Sequence, residues 1–130
     1  MKILILDDIQ HRLNVFQKMH DGDEVVCCTH YLEFLEALST QKWDLIRLDH
    51  DLGDFRDADT YVDGWGKIQE YNGCHAAMRI CELPDDKKPE RVIVHSVNPT
   101  GSADMTRTLL KAGIETTREP FAEPEWNQDE

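Results

Sequence analysis

The sequence has no long apolar run, few basic residues and few cysteines. No segment approaches the roughly 20 consecutive apolar residues that a membrane-spanning helix requires. The apolar stretch that ends at Asp7-Asp8 is also too short to form the core of a signal peptide. We therefore expect a soluble, cytoplasmic protein without a membrane partner.

Positive charge is scarce. The chain has 14 Lys and Arg against 26 Asp and Glu, which gives a formal net charge of −12. A protein this acidic is a poor general binder of duplex nucleic acid or of an anionic membrane, because its own field repels phosphates. A small anionic ligand remains compatible with this charge if Arg, Lys, backbone N–H groups or a metal ion neutralise it locally.

The four cysteines show no CxxC spacing, and we expect them to be buried, reduced thiols. A chain of 130 residues has the size of one domain, and it contains neither a linker nor an internal repeat. The sequence therefore predicts a single domain over residues 1–130, with an acidic tail over about 122–130.

Short apolar segments alternate with amphipathic ones along the chain. The patterns predict strands at 3–6, 24–28, 43–48, 91–96 and 114–118, and helices at 11–20, 31–38, 74–83 and 103–112. Residues 53–73 are polar and rich in Asp, which predicts a long functional loop or lid after the third strand. Such alternation is typical of an α/β fold with a parallel sheet covered by helices on both faces.

Polar side chains follow three of these predicted strands. Asp7 and Asp8 follow the first, Asp49, His50 and Asp51 follow the third, and His95 and Ser96 end the fourth. Ligands bind open α/β sheets at the carboxyl ends of the strands, so these residues predict one site. Clustered carboxylates repel one another unless a hard cation is present. We therefore predict a Mg²⁺ or Mn²⁺ site, with helix capping as the alternative. The predicted metal ligands are Asp7, Asp8, Asp49 and Asp51.

Two of the six histidines fall at strand ends. An imidazole held there can transfer protons near neutral pH, which makes His95 and His50 candidates for general base and general acid. Asp49 is the third candidate catalytic residue. The alternative for either histidine is simple packing in the core.

The segment that follows the fourth strand offers donors to a phosphate group. We predict that Arg12 and the segment's polar residues bind phosphate at a helix N-terminus, although such residues are also common in ordinary caps. The predicted phosphate-binding residues are Arg12, Ser96, Asn98, Thr100, Gly101 and Ser102, and Ser102 is the predicted helix cap.

Other cations and several aromatic residues are further candidates. Arg107 and Arg118 are candidates for the edge of the sheet, and Arg56 and Lys67 lie in the long loop. In that loop, Tyr61, Trp65 and Tyr71 have two interpretations: they stack on a base, or they anchor the loop.

The order of elements and motifs resembles the receiver domains of response regulators. Asp7-Asp8, Asp49 and Ser96 match the acidic pair, the phosphoacceptor and the hydroxyl residue of that family. The resemblance implies a single flavodoxin-like, three-layer sandwich with strand order 2-1-3-4-5 and an inserted loop after strand 3. The chain departs from it at Glu119, where receivers carry a Lys, and in a final helix that is short or absent.

The chain resembles the cyclic-phosphate processing receiver family more closely. LILDDIQHR (4–12), LDHDLG (48–53) and HSVNPTGSADM (95–105) carry this resemblance. Members occur in bacteria and phages and are proposed to act on cyclic phosphates. The resemblance implies a cyclic phosphate or cyclic nucleotide ligand, with histidines added to the acidic pocket of the receiver.

Three functions follow from these observations. The first is metal-assisted hydrolysis of a cyclic nucleotide or a terminal cyclic phosphate. The second is binding of a cyclic nucleotide signal without cleavage, as a sequestering or sensing protein would do. The third is a phospho-accepting receiver that uses Asp49 and acts through protein contacts.

Overall fold

The computed structural model describes residues 1–52 and 60–127. Within them, the five strands and four helices that the apolar patterns predict are all present, and two further strands lie between the third predicted strand and the third predicted helix. The strands are β1 (Lys2–Leu6), β2 (Glu24–Cys28), β3 (Leu45–Leu48), β4 (Thr60–Val62), β5 (Ile68–Glu70), β6 (Arg91–Val94) and β7 (Glu115–Arg118). The helices are α1 (Gln10–Met19), α2 (Tyr31–Leu38), α3 (Gly73–Cys81) and α4 (Pro99–Lys111).

Five parallel strands form the central sheet in the order β2-β1-β3-β6-β7. With the two hairpin strands left out of the count, this is the predicted order 2-1-3-4-5, so the predicted fold class is confirmed. The strands β1 and β3 lie at the centre, which explains why residues 3–6 and 45–48 are apolar with the exception of Arg47. The strand order reverses at β1 and β3, and the open end of the sheet there is where such folds bind ligands.

The two faces of the sheet are covered differently. The larger apolar cluster lies under α2, α3 and α4, and its largest fully buried side chains are Trp43 and Phe34. On the other face α1 packs through Leu13 and Phe16, and after β7 the chain returns to pack Phe121 against Phe16, with ring centroids 5.7 Å apart. The described residues contain no helix after β7 other than a 3₁₀ turn at Glu125–Asn127, which agrees with the predicted short or absent final helix.

The segment that follows β7 is held to α1 by polar contacts. His11 pairs with Glu123 at 2.8 Å, and Lys18 lies 4.3 Å from the centre of the Trp126 ring. Residues 119–127, which include the whole described part of the predicted acidic tail, therefore form a strap over α1. No helix in the described part of the chain combines the length and the hydropathy that crossing a membrane requires.

Two predicted boundaries are corrected by the structure. The prediction of a continuous loop over 53–73 was wrong for 60–70, where β4 and β5 form an antiparallel hairpin through paired backbone groups. Residues 53–59 lie outside the described residues. The helix α4 begins at Pro99 and not after Ser102, because Asn98 Oδ1 accepts a hydrogen bond from the Gly101 amide and proline suits a first helical position.

The four cysteines carry free thiols, as predicted. Cys28 is buried and the other three are half-buried. Burial raises the pKa of the Cys28 thiol to about 12, so this sulfur stays protonated and unreactive at neutral pH. The thiols therefore behave as small apolar groups in the core.

Candidate active site

Three carboxylates meet at the open end of the sheet. Asp7 and Asp8 follow β1, Asp49 follows β3, and a ligand oxygen from each lies within 4.8 Å of the others. Parallel pairing continues past the strands, since the Asp7 amide donates to Cys28 O at 3.1 Å and the Asp49 amide donates to Leu6 O at 3.0 Å. The carboxylates are therefore attached to a rigid backbone. We call Asp7, Asp8 and Asp49 the acidic centre.

The acidic centre carries negative charge that the protein only partly compensates. Burial and, secondly, the nearby Asp7 carboxylate raise the pKa of Asp49 from 3.8 to about 7. Arg12 opposes this shift, but its Nη1 lies 3.7 Å from Asp7 Oδ2 and 3.7 Å from Asp49 Oδ2. These distances exceed those of direct hydrogen bonds. Oxygen ligands and excess negative charge fit a hard divalent cation, and Asp7, Asp8 and Asp49 would hold it.

His50 and Asp51 form a pair beside the acidic centre. His50 Nδ1 lies 2.7 Å from Asp51 Oδ1, and the His50 backbone amide donates to Asp49 Oδ1 at 2.9 Å. The Asp51 side chain is 65% exposed and also accepts long hydrogen bonds from Asn98 Nδ2. Asp51, a predicted fourth metal ligand, is thus not grouped with the other three. Its carboxylate instead orients the His50 ring, which leaves Nε2 as the atom able to accept a proton.

His95 lies beneath the acidic centre and has no exposed surface. Its Nε2 lies 2.8 Å from Asp7 Oδ2, and its ring centroid lies 4.8 Å from that of Phe16. Burial lowers the pKa of His95, although the bond to Asp7 opposes this, so the ring is neutral and donates from Nε2. Nδ1 is buried and has no hydrogen-bond partner among the described residues. A catalytic role for His95 stays a prediction, whereas its contact with Asp7 is direct.

The polar side chains before and at the start of α4 mainly form hydrogen bonds within residues 96–102. Ser96 Oγ accepts from the Asn98 amide at 3.1 Å, and Ser102 Oγ donates to Ser96 O at 2.9 Å. Asn98 reaches towards the site, with Nδ2 at 3.4 Å from His50 Nδ1. Thr100 is exposed and Ser102 is buried. Of the five predicted phosphate-binding residues in this segment, Asn98 and Gly101 lie against the predicted catalytic residue His50.

Arg12 is the cation that lies at the acidic centre. Its guanidinium also packs over the Phe121 ring, with Cζ 5.3 Å from the ring centre. The other candidate cations do not join it: Arg107 pairs with Asp104 on the exposed side of α4, and Arg118 and Lys67 are exposed residues of β7 and the hairpin. Arg56 lies outside the described residues.

Glu119, which stands where receivers carry a Lys, does not reach the acidic centre. Its carboxylate accepts from Arg91 Nη2 at 3.0 Å and from Thr117 Oγ1 at 2.9 Å. Because Arg91 begins β6, it draws this carboxylate away from the open end of the sheet. The positive charge near the carboxylates is therefore supplied by α1 through Arg12.

Two of the three aromatic residues of the predicted loop anchor the hairpin. Tyr71 stacks on Tyr31 with ring centroids 4.2 Å apart, and Tyr61 packs against Tyr71 at 4.8 Å. Tyr61 Oη also lies 3.3 Å from His75 Nε2. Trp65, at the turn of the hairpin, is 90% exposed. The anchoring interpretation thus holds for Tyr61 and Tyr71, and Trp65 is left accessible.

Sequence reasoning missed the packing of two glycines against the site: Gly73 was not singled out, and Gly101 was predicted only to bind phosphate. A Cβ atom on Gly73 would lie 2.1 Å from Asp49 O, and one on Gly101 would lie 2.4 Å from the His50 ring. Phe121 was also missed, and its ring packs on Arg12. A glycine at the start of each of two helices was the available signal, because it marks a close approach of chain segments.

We expect Gly73→Ala to destabilise the protein by about 3 kcal/mol, because the added methyl group collides with backbone atoms that cannot move aside. A urea unfolding curve measures the loss. Gly64→Ala is the matched control, since a Cβ atom there meets nothing within 4 Å and should change stability little. Equal stability of the two variants would contradict the close packing of α3 against the end of β3.

A protein-family model matches most of the chain. A model of the cyclic-phosphate processing Receiver domain matches residues 2–111. The match extends from β1 to the end of α4 and so includes the acidic centre, His50, Asp51 and His95. Glu119 lies beyond it. A search of curated proteins found no match.

Solved receiver domains share the fold at low sequence identity. The receiver domain (CheY-like) from Methylobacillus flagellatus matches with a TM-score of 0.61 and 15% identity, over 98% of this chain and 91% of that chain. A CheY-like receiver domain protein from Methanospirillum hungatei JF-1 gives 0.58 and 19%, over 92% and 82%. Identity this low supports the fold alone.

A response regulator from Burkholderia pseudomallei gives a TM-score of 0.60 at 16% identity. Its structure contains a phosphorylated aspartic acid, a calcium ion and citrate. The match covers 93% of this chain but only 60% of that one, so the present chain corresponds to part of the longer protein.

Proposed function

The chain belongs to the cyclic-phosphate processing receiver domain family, and we propose that it hydrolyses a cyclic phosphate ester at the acidic centre. One observation carries the proposal. Three carboxylates with ligand atoms within 4.8 Å lie directly beside a His50–Asp51 pair, at the open end of a receiver sheet. Phosphoryl chemistry needs charge neutralisation and proton transfer at one place, and this arrangement offers both.

The acidic centre would hold Mg²⁺ or Mn²⁺. When bound, a divalent cation withdraws charge from phosphoryl oxygens and makes phosphorus easier to attack. Arg12 supplies positive charge from the protein itself, because its guanidinium lies at the carboxylates and can donate several N–H hydrogen bonds to a phosphate. Asn98 Nδ2 is the nearest uncharged donor on the α4 side.

His50 is the residue that we propose for proton transfer. With Nδ1 held by Asp51, Nε2 takes a proton from an attacking water as a P–O bond forms. The ring P–O bond then breaks, and the leaving oxygen takes that proton from Nε2, which gives a hydroxyl group and a phosphomonoester and restores the neutral imidazole. His95 has no exposed surface, so we propose that it supports this site by fixing the orientation of Asp7.

Binding without cleavage is the second candidate function. The complete burial of His95 favours it, because this leaves His50 as the one predicted catalytic histidine with exposed surface. Phospho-acceptance by Asp49, the third hypothesis, is less supported because Glu119 replaces the usual Lys and points to Arg91.

A chromatographic assay tests the proposal. The protein is incubated with Mg²⁺ or Mn²⁺ and with 2′,3′- and 3′,5′-cyclic mononucleotides, cyclic dinucleotides and cyclic trinucleotides, and both free product and protein-bound ligand are analysed. We expect a phosphomonoester product that EDTA abolishes. Recovery of one intact, tightly bound ligand from denatured protein would instead establish the binding function, and an Asp49 phosphoryl adduct after incubation with a small phosphodonor would establish the receiver function.

A further inference from the structure

A cleft of about 380 Å³ adjoins the proposed reaction site. Residues 50–52 line one side, and residues 69–72, which join β5 to α3, line the other. Its volume lies within the range of small-ligand pockets. Because His50 and Asp51 belong both to this cleft and to the proposed site, a ligand bound at the acidic centre can extend into it.

The polar lining of the cleft is unsuited to phosphate. Asp51 and Glu70 contribute carboxylates, and the described residues that line the cleft include no Lys or Arg. An anionic phosphate is repelled here and attracted to the Arg12 side. The cleft therefore suits an uncharged part of the ligand that is rich in hydrogen-bond donors.

Glu70 and Asn72 both line the cleft. Side chains two positions apart in extended backbone share a face, and Asn72 has extended φ and ψ values of −137° and −173°. Between them, the Tyr71 ring stacks on Tyr31 with ring centroids 4.2 Å apart, which fixes the segment against the core. The two polar side chains are thus held by a rigid support.

The hydrogen-bonding capacity of this pair is defined by its other contacts. Asn72 Oδ1 accepts from the Cys74 amide at 2.8 Å, so Nδ2 is the end of the side chain left to donate to a ligand. The Glu70 carboxylate makes no side-chain hydrogen bond to another described residue, and it offers two acceptor oxygens. The cleft wall therefore presents two acceptors beside one donor.

We propose that this cleft binds the guanine base of a cyclic guanine nucleotide, with Glu70 accepting from N1–H and the exocyclic amino group and Asn72 donating to O6. Guanine is the common base that presents two adjacent donors next to an acceptor on one edge. Adenine presents a donor next to an acceptor, and its bare N1 faces repulsion from a carboxylate. The inference rests on the proposed function for the position of the phosphate, and it adds the identity of the base.

Binding of uncleavable nucleotides tests the base preference apart from hydrolysis. Guanosine 5′-monophosphate and adenosine 5′-monophosphate lack the cyclic ester, and isothermal titration with the full chain in Mg²⁺ measures their Kd values. We expect guanosine monophosphate to bind at least tenfold more tightly, as the loss of a charge-assisted hydrogen bond implies. Equal Kd values for the two nucleotides would overturn the inference.

The Glu70→Gln substitution should strengthen adenine binding as well as weaken guanine binding. The amide of Gln offers one acceptor and one donor, which suits adenine, so we expect weaker guanine binding and tighter adenine binding. A merely damaged site would weaken both. Glu115→Gln, an exposed position on β7, is the matched control and should leave both Kd values unchanged. An equal effect of Glu70→Gln on both nucleotides would overturn the assignment of Glu70.

The two proposals fail separately. If cyclic nucleotides of all bases are hydrolysed at equal kcat/KM and the two monophosphates bind equally, hydrolysis stands and the guanine site is refuted. If guanosine monophosphate is preferred but no cyclic ester is cleaved, the guanine site stands and the proposed hydrolysis is refuted.

Discussion

Asp49→Asn is expected to stabilise the metal-free protein at pH 8. The pKa of Asp49 is about 7 in the folded protein against 3.8 in the unfolded chain. Between these pH values the folded state keeps a proton that the unfolded state has released, so folding stability falls as pH rises from about 4 to about 7. Above pH 7 the ionised Asp49 carboxylate lowers the free energy of unfolding by its full amount, on the order of 4 kcal/mol.

Asparagine removes this cost because its side chain is neutral, and its Oδ1 still accepts the hydrogen bond from the His50 amide. We expect a gain of about 2–4 kcal/mol in EDTA, which raises Tm by about 5–15 °C for a domain of this size. At pH 4 the Asp49 carboxyl is protonated in the folded protein, so the gain should be lost. Thermal unfolding of both proteins at the two pH values measures the difference.

Added Mg²⁺ should narrow the stability difference between Asp49→Asn and the wild-type protein. A ligand that binds only the folded state stabilises it by about 2.7 kcal/mol at a concentration 100 times its Kd. We expect this increase for the wild-type protein and at least a tenfold weaker Mg²⁺ affinity for Asp49→Asn, because one of three ligands is lost. Asp86→Asn, an exposed control, should behave as wild type. An equal Mg²⁺ response in wild type and Asp49→Asn would show that the acidic centre does not hold the ion.

The second large effect is expected for His50. Removal of a proton-transfer group commonly lowers the rate by about 10²–10⁴. We expect His50→Gln to lower kcat by such a factor with little change in ligand affinity, since Arg12 and the acidic centre remain. Single-turnover kinetics at saturating ligand separates the rate from binding. His11→Gln, an exposed histidine of α1, is the control.

His95→Gln should give a different result from His50→Gln. His95 contacts Asp7 and is fully buried, so we expect weaker Mg²⁺ binding, by about 10-fold or more, and a kcat that recovers as Mg²⁺ is raised. Metal titration of the variant without substrate provides the independent readout. A loss of kcat that saturating Mg²⁺ cannot restore would return His95 to the catalytic role predicted from the sequence.

Much of the fold could be predicted because local patterns record burial. Runs such as 3–6 and 92–94 are apolar because they lie in buried strands of the sheet, and helices appear where apolar residues recur at helical spacing. The hairpin of β4 and β5 escaped prediction because its residues are largely exposed and its strands have three residues each. Its stability comes from Tyr61 and Tyr71 packing on distant partners, which a local pattern does not contain.

The start of α4 was misplaced for a similar reason. Ser102 and Asn98 are both residue types that cap helices, and the sequence alone does not rank them. The structure decides in favour of Asn98, because Ser102 donates its hydroxyl to Ser96 O inside the fold. Because the Ser102 hydroxyl is buried and donates to Ser96 O, it is not offered to a phosphate as the sequence predicted.

The sequence by itself determined which residues come to the open end of the sheet. Strand ends at Asp7, Asp49 and His95 follow from apolar periodicity, and parallel pairing brings such ends to one edge. Only the tertiary structure decided what each residue does there. It places Asp51 on His50, His95 on Asp7 and Glu119 on Arg91. The physical reason is that strand order decides only which residues reach this edge of the sheet. Their hydrogen bonds and burial depend on side-chain directions and on neighbours that are remote in the chain.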